Sequence, residues 1–187
     1  MDVTDCFLTG LKKQEKLLHC ITIVNQCIEG KKYLAGGIVY RTIIAEAYGI
    51  PQKEHDIDVI IEQPPATITL PAGWTLTQNK YGNPKIISEQ QSIDIMILSN
   101  HHSIMHRKLT PSITHYLTGV PFSIQSLVYD CDEQQLLGNA GIDSILTKTI
   151  RINNYEEALY DAHLRNKTLI ELLKEKAESV GFTPVYI

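Results

Sequence analysis

Cysteine is sparse in this chain and unpatterned: Cys6, Cys20, Cys27 and Cys131 show no Cys-x-x-Cys spacing and read as reduced intracellular thiols. The first ten residues hold Asp2 and Asp5 and no sustained apolar run, so no N-terminal signal is read there. No stretch approaches the roughly 20 apolar residues of a membrane span. A cytoplasmic protein without a membrane partner is expected. A basic surplus is also missing, since 17 Lys and Arg stand against 21 Asp and Glu for a formal net charge of −4. A protein that tracks a phosphate backbone needs a concentrated basic surface. The pairs Lys12-Lys13, Lys31-Lys32 and Arg107-Lys108 are isolated and read as solvated. Long RNA is therefore not expected to be bound by this chain alone. Repeats, low-complexity tracts and linkers are absent as well, and 187 residues with 43% hydrophobic content fit a single domain over 1–187.

What is present centres on two stretches. Tyr33-Leu34-Ala35 runs into Gly36-Gly37, and a helical segment follows. Without a Cβ, these glycines let backbone N–H groups approach an anion, and the next helix aims its partly positive N-terminus at the same place. The second stretch is Asp56-Ile57-Asp58-Val59-Ile60-Ile61. Strand alternation puts Asp56, Asp58 and Ile60 on one face and Ile57, Val59 and Ile61 on the other. Two carboxylates side by side are hard oxygen ligands suited to Mg²⁺ or Mn²⁺. Asp94 lies inside another apolar alternating run, Ile93-Asp94-Ile95-Met96-Ile97, where a lone carboxylate is costly unless paired, solvated or metal-bound. If the two strands are neighbours, the three aspartates can converge.

The remaining pattern predicts a helix over 10–28, a strand over 32–35, and a helix over 38–48 stopped by Gly49 and Pro51. Extra length is expected in the Ile50 to His55 loop or in an added helical turn. Residues 66–90 read as irregular or short-stranded with a turn at Gly82-Asn83-Pro84, after which residues 85–88 pair with the Asp94 strand as a hairpin. His102 and His106 stand at i and i+4, but with no third ligand at meaningful spacing they and His101 read as polar helix-surface residues rather than a zinc site. Asp130 and Asp132 form a second Asp-x-Asp in a polar run and read as a hairpin loop. A single helical turn is expected over 142–146 and one long helix over 153–179.

These motifs resemble the nucleotidyltransferases of the DNA polymerase β superfamily, in particular the head domain of bacterial poly(A) polymerases and tRNA CCA-adding enzymes. The Gly-Gly-x-Val turn matches Gly36, Gly37 and Val39, the Asp-x-Asp strand Asp56 and Asp58, and the superfamily's later Asp Asp94. A second block is similar at Phe122-Ser123-Ile124-Gln125, Tyr129-Asp130 and Gly141-Ile142-Asp143, so the likeness spans about 32–152. It implies an α/β (α+β) nucleotidyltransferase fold, a mixed sheet flanked by helices, with a C-terminal helix over 153–180.

The departures concern phosphate and base contacts. The family's Arg-Asp after the Val is Tyr40-Arg41 here, so a phosphate-facing arginine is either lost or displaced to Arg41. Its Arg-Arg-Asp is Gly119-Val120-Pro121, and its Asp/Arg base-reading pair has no counterpart in 153–165. The groups left for reading a base, such as Gln125, Asn153 and His163, would serve more than one.

The resemblance implies a metal-dependent enzyme moving a nucleoside monophosphate from a nucleoside triphosphate to a hydroxyl acceptor, a small molecule or a protein. Asp56, Asp58 and Asp94 are the expected catalytic and metal-binding residues, with a pair of Mg²⁺ or Mn²⁺ ions as cofactor, Asp56 and Asp58 holding the one on the phosphates and Asp94 helping to hold the second. Gly36, Gly37 and Arg41 are the expected nucleotide contacts. The alternative is a catalytically degenerate module of the same fold that binds a nucleotide or a protein partner, including one of toxin–antitoxin type.

Overall fold

The computed structural model describes residues 1–52, 56–79 and 82–186. Two helices, α1 (Val3–Lys12) and α2 (Glu15–Cys27), precede β1 (Lys32–Ala35), α3 (Gly37–Tyr48) and β2 (Ile57–Ile61). A meander of β3 (Thr75–Gln78), β4 (Pro84–Ile87) and β5 (Ser92–Ile97) follows, then α4 (His102–His106) and α5 (Ile113–Gly119). The chain continues through β6 (Val128–Asp130), β7 (Gln135–Leu137), α6 (Asn139–Thr147) and β8 (Thr149–Ile150). It ends with α7 (Tyr155–Leu164), α8 (Leu169–Glu178) and β9 (Thr183–Pro184).

Seven strands form one mixed sheet in the order β3-β4-β5-β2-β1-β6-β7, in which only β2 and β5 run parallel. The alternation in β2 and β5 sorts their side chains as the pattern predicts. Ile57, Val59, Ile61, Ile93 and Ile95 join the main core beneath the N-terminal helices and α3. Ile60 faces the other way, into a smaller cluster with Tyr33, Leu98, Ile104 and Tyr116. The interior strand β1 is buried at all four residues, Lys32 included. Lys32 is thus not solvated as expected: its Nζ donates to the carbonyls of Ile28 at 3.2 Å and Gly30 at 2.8 Å.

Both expected terminal helices are broken. In place of one helix over 10–28, α1 ends at Lys12 and α2 starts at Glu15, because α1 lies down on α3. Gly10 packs so closely on Thr42 that a Cβ would sit 2.6 Å from its methyl, and Gln14 spans the break to donate to Thr42 Oγ1 at 2.9 Å. At the other end, α7 and α8 replace the single helix over 153–179. Asn166 takes φ 53°, and Thr168 then starts α8 with a capping box in which it and Glu171 satisfy each other's backbone N–H groups. The expected turn over 142–146 is a full helix, α6. Asp130 ends β6 and accepts from the N–H groups of Asp132 and Glu133, making the expected hairpin loop. The extra length expected in the Ile50 to His55 loop falls partly on Lys53, Glu54 and His55, outside the described residues. No helix among the described residues is long and apolar enough to cross a membrane.

Candidate functional site

β1 delivers the chain to Gly36, which takes φ 71° and ψ −152°, a conformation essentially reserved for glycine, and stands as N-cap of α3. The same residue touches the carboxylate strand: a Cβ on Gly36 would collide with Asp58 Oδ2. The helix N-terminus and the carboxylate therefore share one corner, and a side chain at position 36 would separate them.

Register does the rest. In the sheet, Ala35 pairs with Asp58, Asp58 with Asp94, and Asp94 with Lys85, so these residues form one row across four strands and share one face. Asp94 does not point freely into that row. Its Oδ2 accepts from Lys85 Nζ at 2.7 Å and its Oδ1 from Asn79 Nδ2 at 3.3 Å. Burial pushes Asp58 up to about 7, helped by the neighbouring charges of Asp94 and Asp56 and opposed by Lys85. The hydrogen bond from Lys85 to Asp94 holds the ammonium above its usual range. From the other side of the cleft, α5 brings the buried Tyr116, whose hydroxyl is pushed up by burial and then by the charge of Asp58. His101 packs edge-on against Tyr116 at 4.9 Å between ring centres, and burial lowers it to about 4, so it is neutral.

Asp56 is exposed just ahead of β2. It lines an open pocket of about 670 Å³ together with Ile38, Ile57, Gln90, Gln91, Ser92 and the α1–α2 junction from Lys13 to Leu17. Asp58 and Asp94 are not among the walls. Among the described residues no three His, Cys, Asp or Glu side chains are gathered closely enough to hold a metal ion. The expected convergence of three aspartates on a shared pair of metals is thus not what the side chains present, because Asp94 is engaged by Lys85 and Asn79. The donor set that remains is Asp56 and Asp58. The crowded charge at Asp58 and the glycine cradle beside it fit one divalent cation.

Arg41 is drawn away from this corner. Its Nη1 donates to Gln52 at 2.9 Å and to the Ser179 carbonyl at 2.8 Å, and its Nη2 to Ser179 Oγ at 3.2 Å. One helical turn past Gly37, its side chain serves the end of α8 instead. Two of the expected base readers are likewise used internally. Gln125 accepts from the Phe122 N–H, and Asn153 Nδ2 donates to the carbonyls of Leu117 and Val120. Gly119, where the family carries an arginine, presses so closely on Ser103 that no Cβ would fit.

No family model matches the chain, and no curated protein is similar enough in sequence to match it. Solved structures do match. The Bacillus stearothermophilus CCA-adding enzyme in complex with CTP superposes with a TM-score of 0.61 at 15% identity, covering 94% of this chain and 41% of that one. The Thermotoga maritima CCA-adding enzyme complexed with tRNA matches at 0.58 and 14%, over 86% of this chain and 38% of that one. A tRNA nucleotidyltransferase with a primer tRNA and an incoming ATP analogue matches at 0.57 and 13%, covering 83% and 43%. The fold is that of the nucleotidyltransferases. The chain spans about 40% of the length of these enzymes.

Within this nucleotidyltransferase fold, sequence reasoning missed three residues beside the aspartates. Lys85 was legible as a charge in an otherwise apolar strand, on the hairpin expected to flank Asp94. Asn79 and Tyr116 carried no such signal, since both arrive from elements that pair or pack only in the folded chain. Of the histidines expected on the helix surface, His106 is exposed, whereas His101 packs against Tyr116, and His102 stacks on Tyr160 at 3.8 Å and bonds Glu157 at 2.9 Å, joining α4 to α7.

Proposed function

We propose that the chain, as a single domain, is a divalent-metal-dependent nucleotidyltransferase. It would move a nucleoside monophosphate from a nucleoside triphosphate to a hydroxyl on a small molecule or a protein. The observation that carries this reading is the meeting of Gly36 with Asp58 at the start of α3, in the same sheet row as Asp94. Gly36, Gly37 and the N-terminus of α3 receive the triphosphate. Asp56 and Asp58 are the residues that would hold Mg²⁺ or Mn²⁺. Bound there, the ion supplies charge neutralisation on the phosphates and a lower pKa for the attacking hydroxyl. Tyr116, on the same face of the sheet as Ile60, stands near enough to Asp58 for the carboxylate's charge to act on its hydroxyl. In the transfer, a bond forms from the acceptor oxygen to the α-phosphorus as the bond to the departing pyrophosphate breaks. The four free thiols support a reducing, cytoplasmic setting.

With Gln125 and Asn153 committed to backbone partners, phosphate and metal dominate affinity over base identity. Calorimetric titration with ATP, CTP, GTP and UTP should give Mg²⁺-dependent binding of several nucleotides within about one decade, roughly 1.4 kcal/mol. Absence of binding with Mg²⁺ and Mn²⁺ would defeat the reading. A hundredfold preference for one base would reveal a base-reading site elsewhere. The diversion of Arg41 to Ser179 favours a second reading, a module that binds nucleotide or protein without transfer. Pyrophosphate release in the presence of candidate acceptors separates the two.

A further inference from the structure

The charge row contains a cation of its own. Lys85 is fixed by the ladder rather than by a flexible rim: it pairs with Asp94 on one side and Thr77 on the other, and its neighbour Ile86 is fully buried in the core. Its ammonium lies 2.7 Å from Asp94 Oδ2, with only 26% of the lysine side chain and 21% of the aspartate side chain exposed. Asn79 takes the other oxygen. A metal ion reaching Asp94 must therefore break an ion pair and a hydrogen bond. Charge points the same way. The carboxylates of Asp56, Asp58 and Asp94 with the ammonium of Lys85 leave a formal −2, which a single divalent cation cancels.

We infer that Lys85 stands in for the second metal of this site, so that the protein binds one divalent cation, at Asp56 and Asp58, while Asp94 stays paired with Lys85. This rests on the metal-dependent reading above. Lys85 is then a positioning residue, keeping Asp94 oriented, and contributes a fixed positive charge beside the phosphates without exchanging with solvent as an ion would. Its charge stays when metal is scarce, so the triphosphate would meet a partly compensated site before any ion arrives.

The test is a Mn²⁺ titration of the full chain, following the loss of the free-ion signal by electron paramagnetic resonance. One Mn²⁺ per chain is expected for the wild type and for Lys85→Arg. Lys85→Met frees Asp94 and should bind two, the second at least tenfold more tightly than any second ion in the wild type. Asp58→Asn should lose the first site. Two ions in the wild type, or one in a folded Lys85→Met, overturns the role of Lys85 and leaves the metal-dependent reading standing. No Mn²⁺ bound to any of the four proteins, or unchanged binding in Asp58→Asn, overturns both. Thermal melts establish that each variant folds. Should Lys85→Met not fold, Lys85→Gln replaces it, and the wild-type count is decisive without either.

Discussion

The two faces of the central sheet are built from the same strands and do opposite work. On the helix-covered face, Ile57, Val59, Ile61, Ile86, Ile93 and Ile95 are all buried, and the charged residue beside them, Lys32 across from Ile61, turns its ammonium to the carbonyls of Ile28 and Gly30. On the other face, Ile60 and Met96 pack under α4 and α5, but two residues earlier along the parallel strands stand Asp58 and Asp94, with Lys85 beside them. One face gains from excluding water. The other tolerates charge because the ladder spaces the carboxylates and a lysine offsets part of it. The contrast teaches that the carboxylates are held in place by the core behind them: every second residue anchors the charged one between.

The largest way to break this contrast is to damage the anchoring face. Ile95→Ala should cost about 4 kcal/mol in denaturant unfolding, as buried isoleucine truncations do. A loss below about 1.5 kcal/mol would mean that this face collapses freely and does not hold the site rigidly.

The charged face should respond with the opposite sign. Folded Asp58 takes its proton near pH 7, well above the unfolded value near 4, so its contribution to stability is full below about pH 4 and is lost as pH rises through 7. In chelator at pH 8, Asp58→Asn should therefore gain about 4 kcal/mol of stability while abolishing any transfer. At pH 4 the two proteins should be nearly equal. A gain that does not change with pH would remove the crowded-charge account.

At the junction between the faces, Gly36→Ala should cost about 2 kcal/mol from backbone strain alone. Because its Cβ meets the Asp58 carboxylate, nucleoside triphosphate affinity should also fall at least tenfold, by about 1.4 kcal/mol. Unchanged affinity in calorimetry would detach the glycine turn from the site. The smallest effect on binding is expected at Arg41. Arg41→Met loses its bonds to Gln52 and Ser179, about 1 kcal/mol of stability, and should move nucleotide affinity by less than about twofold. A tenfold loss would return Arg41 to the phosphates.

Much of this was legible without coordinates. The face assignment of Asp58 against Val59 and Ile61 follows from a period of two, and the glycine turn from residues that only a strained or close-packed backbone requires. The α3 boundaries came from Gly36 and Gly49 at its ends. The breaks at Gln14 and Asn166 were harder. Apolar spacing continues across both, and what decides them is Gly10 lying on Thr42 in one case and a Thr168 capping box in the other. The capping box was itself readable as Thr-x-x-Glu.

Sequence by itself determined that Asp58 and Asp94 would each leave an apolar strand on its polar face and that a glycine corner would precede them, because backbone geometry sets alternation and turn conformation residue by residue. Asp56, expected beside Asp58 on the strand, stands just ahead of it. Only the tertiary structure decided which strands are neighbours and in what register. Asp58 meets Asp94 across 36 positions of chain because β5 runs parallel beside β2. That same ladder places Lys85 on Asp94, while the packing of α8 takes Arg41 to Ser179. A charged side chain goes to the partner that the folded surface brings within hydrogen-bonding distance, and that distance is a property of the assembled layers rather than of any local run of residues.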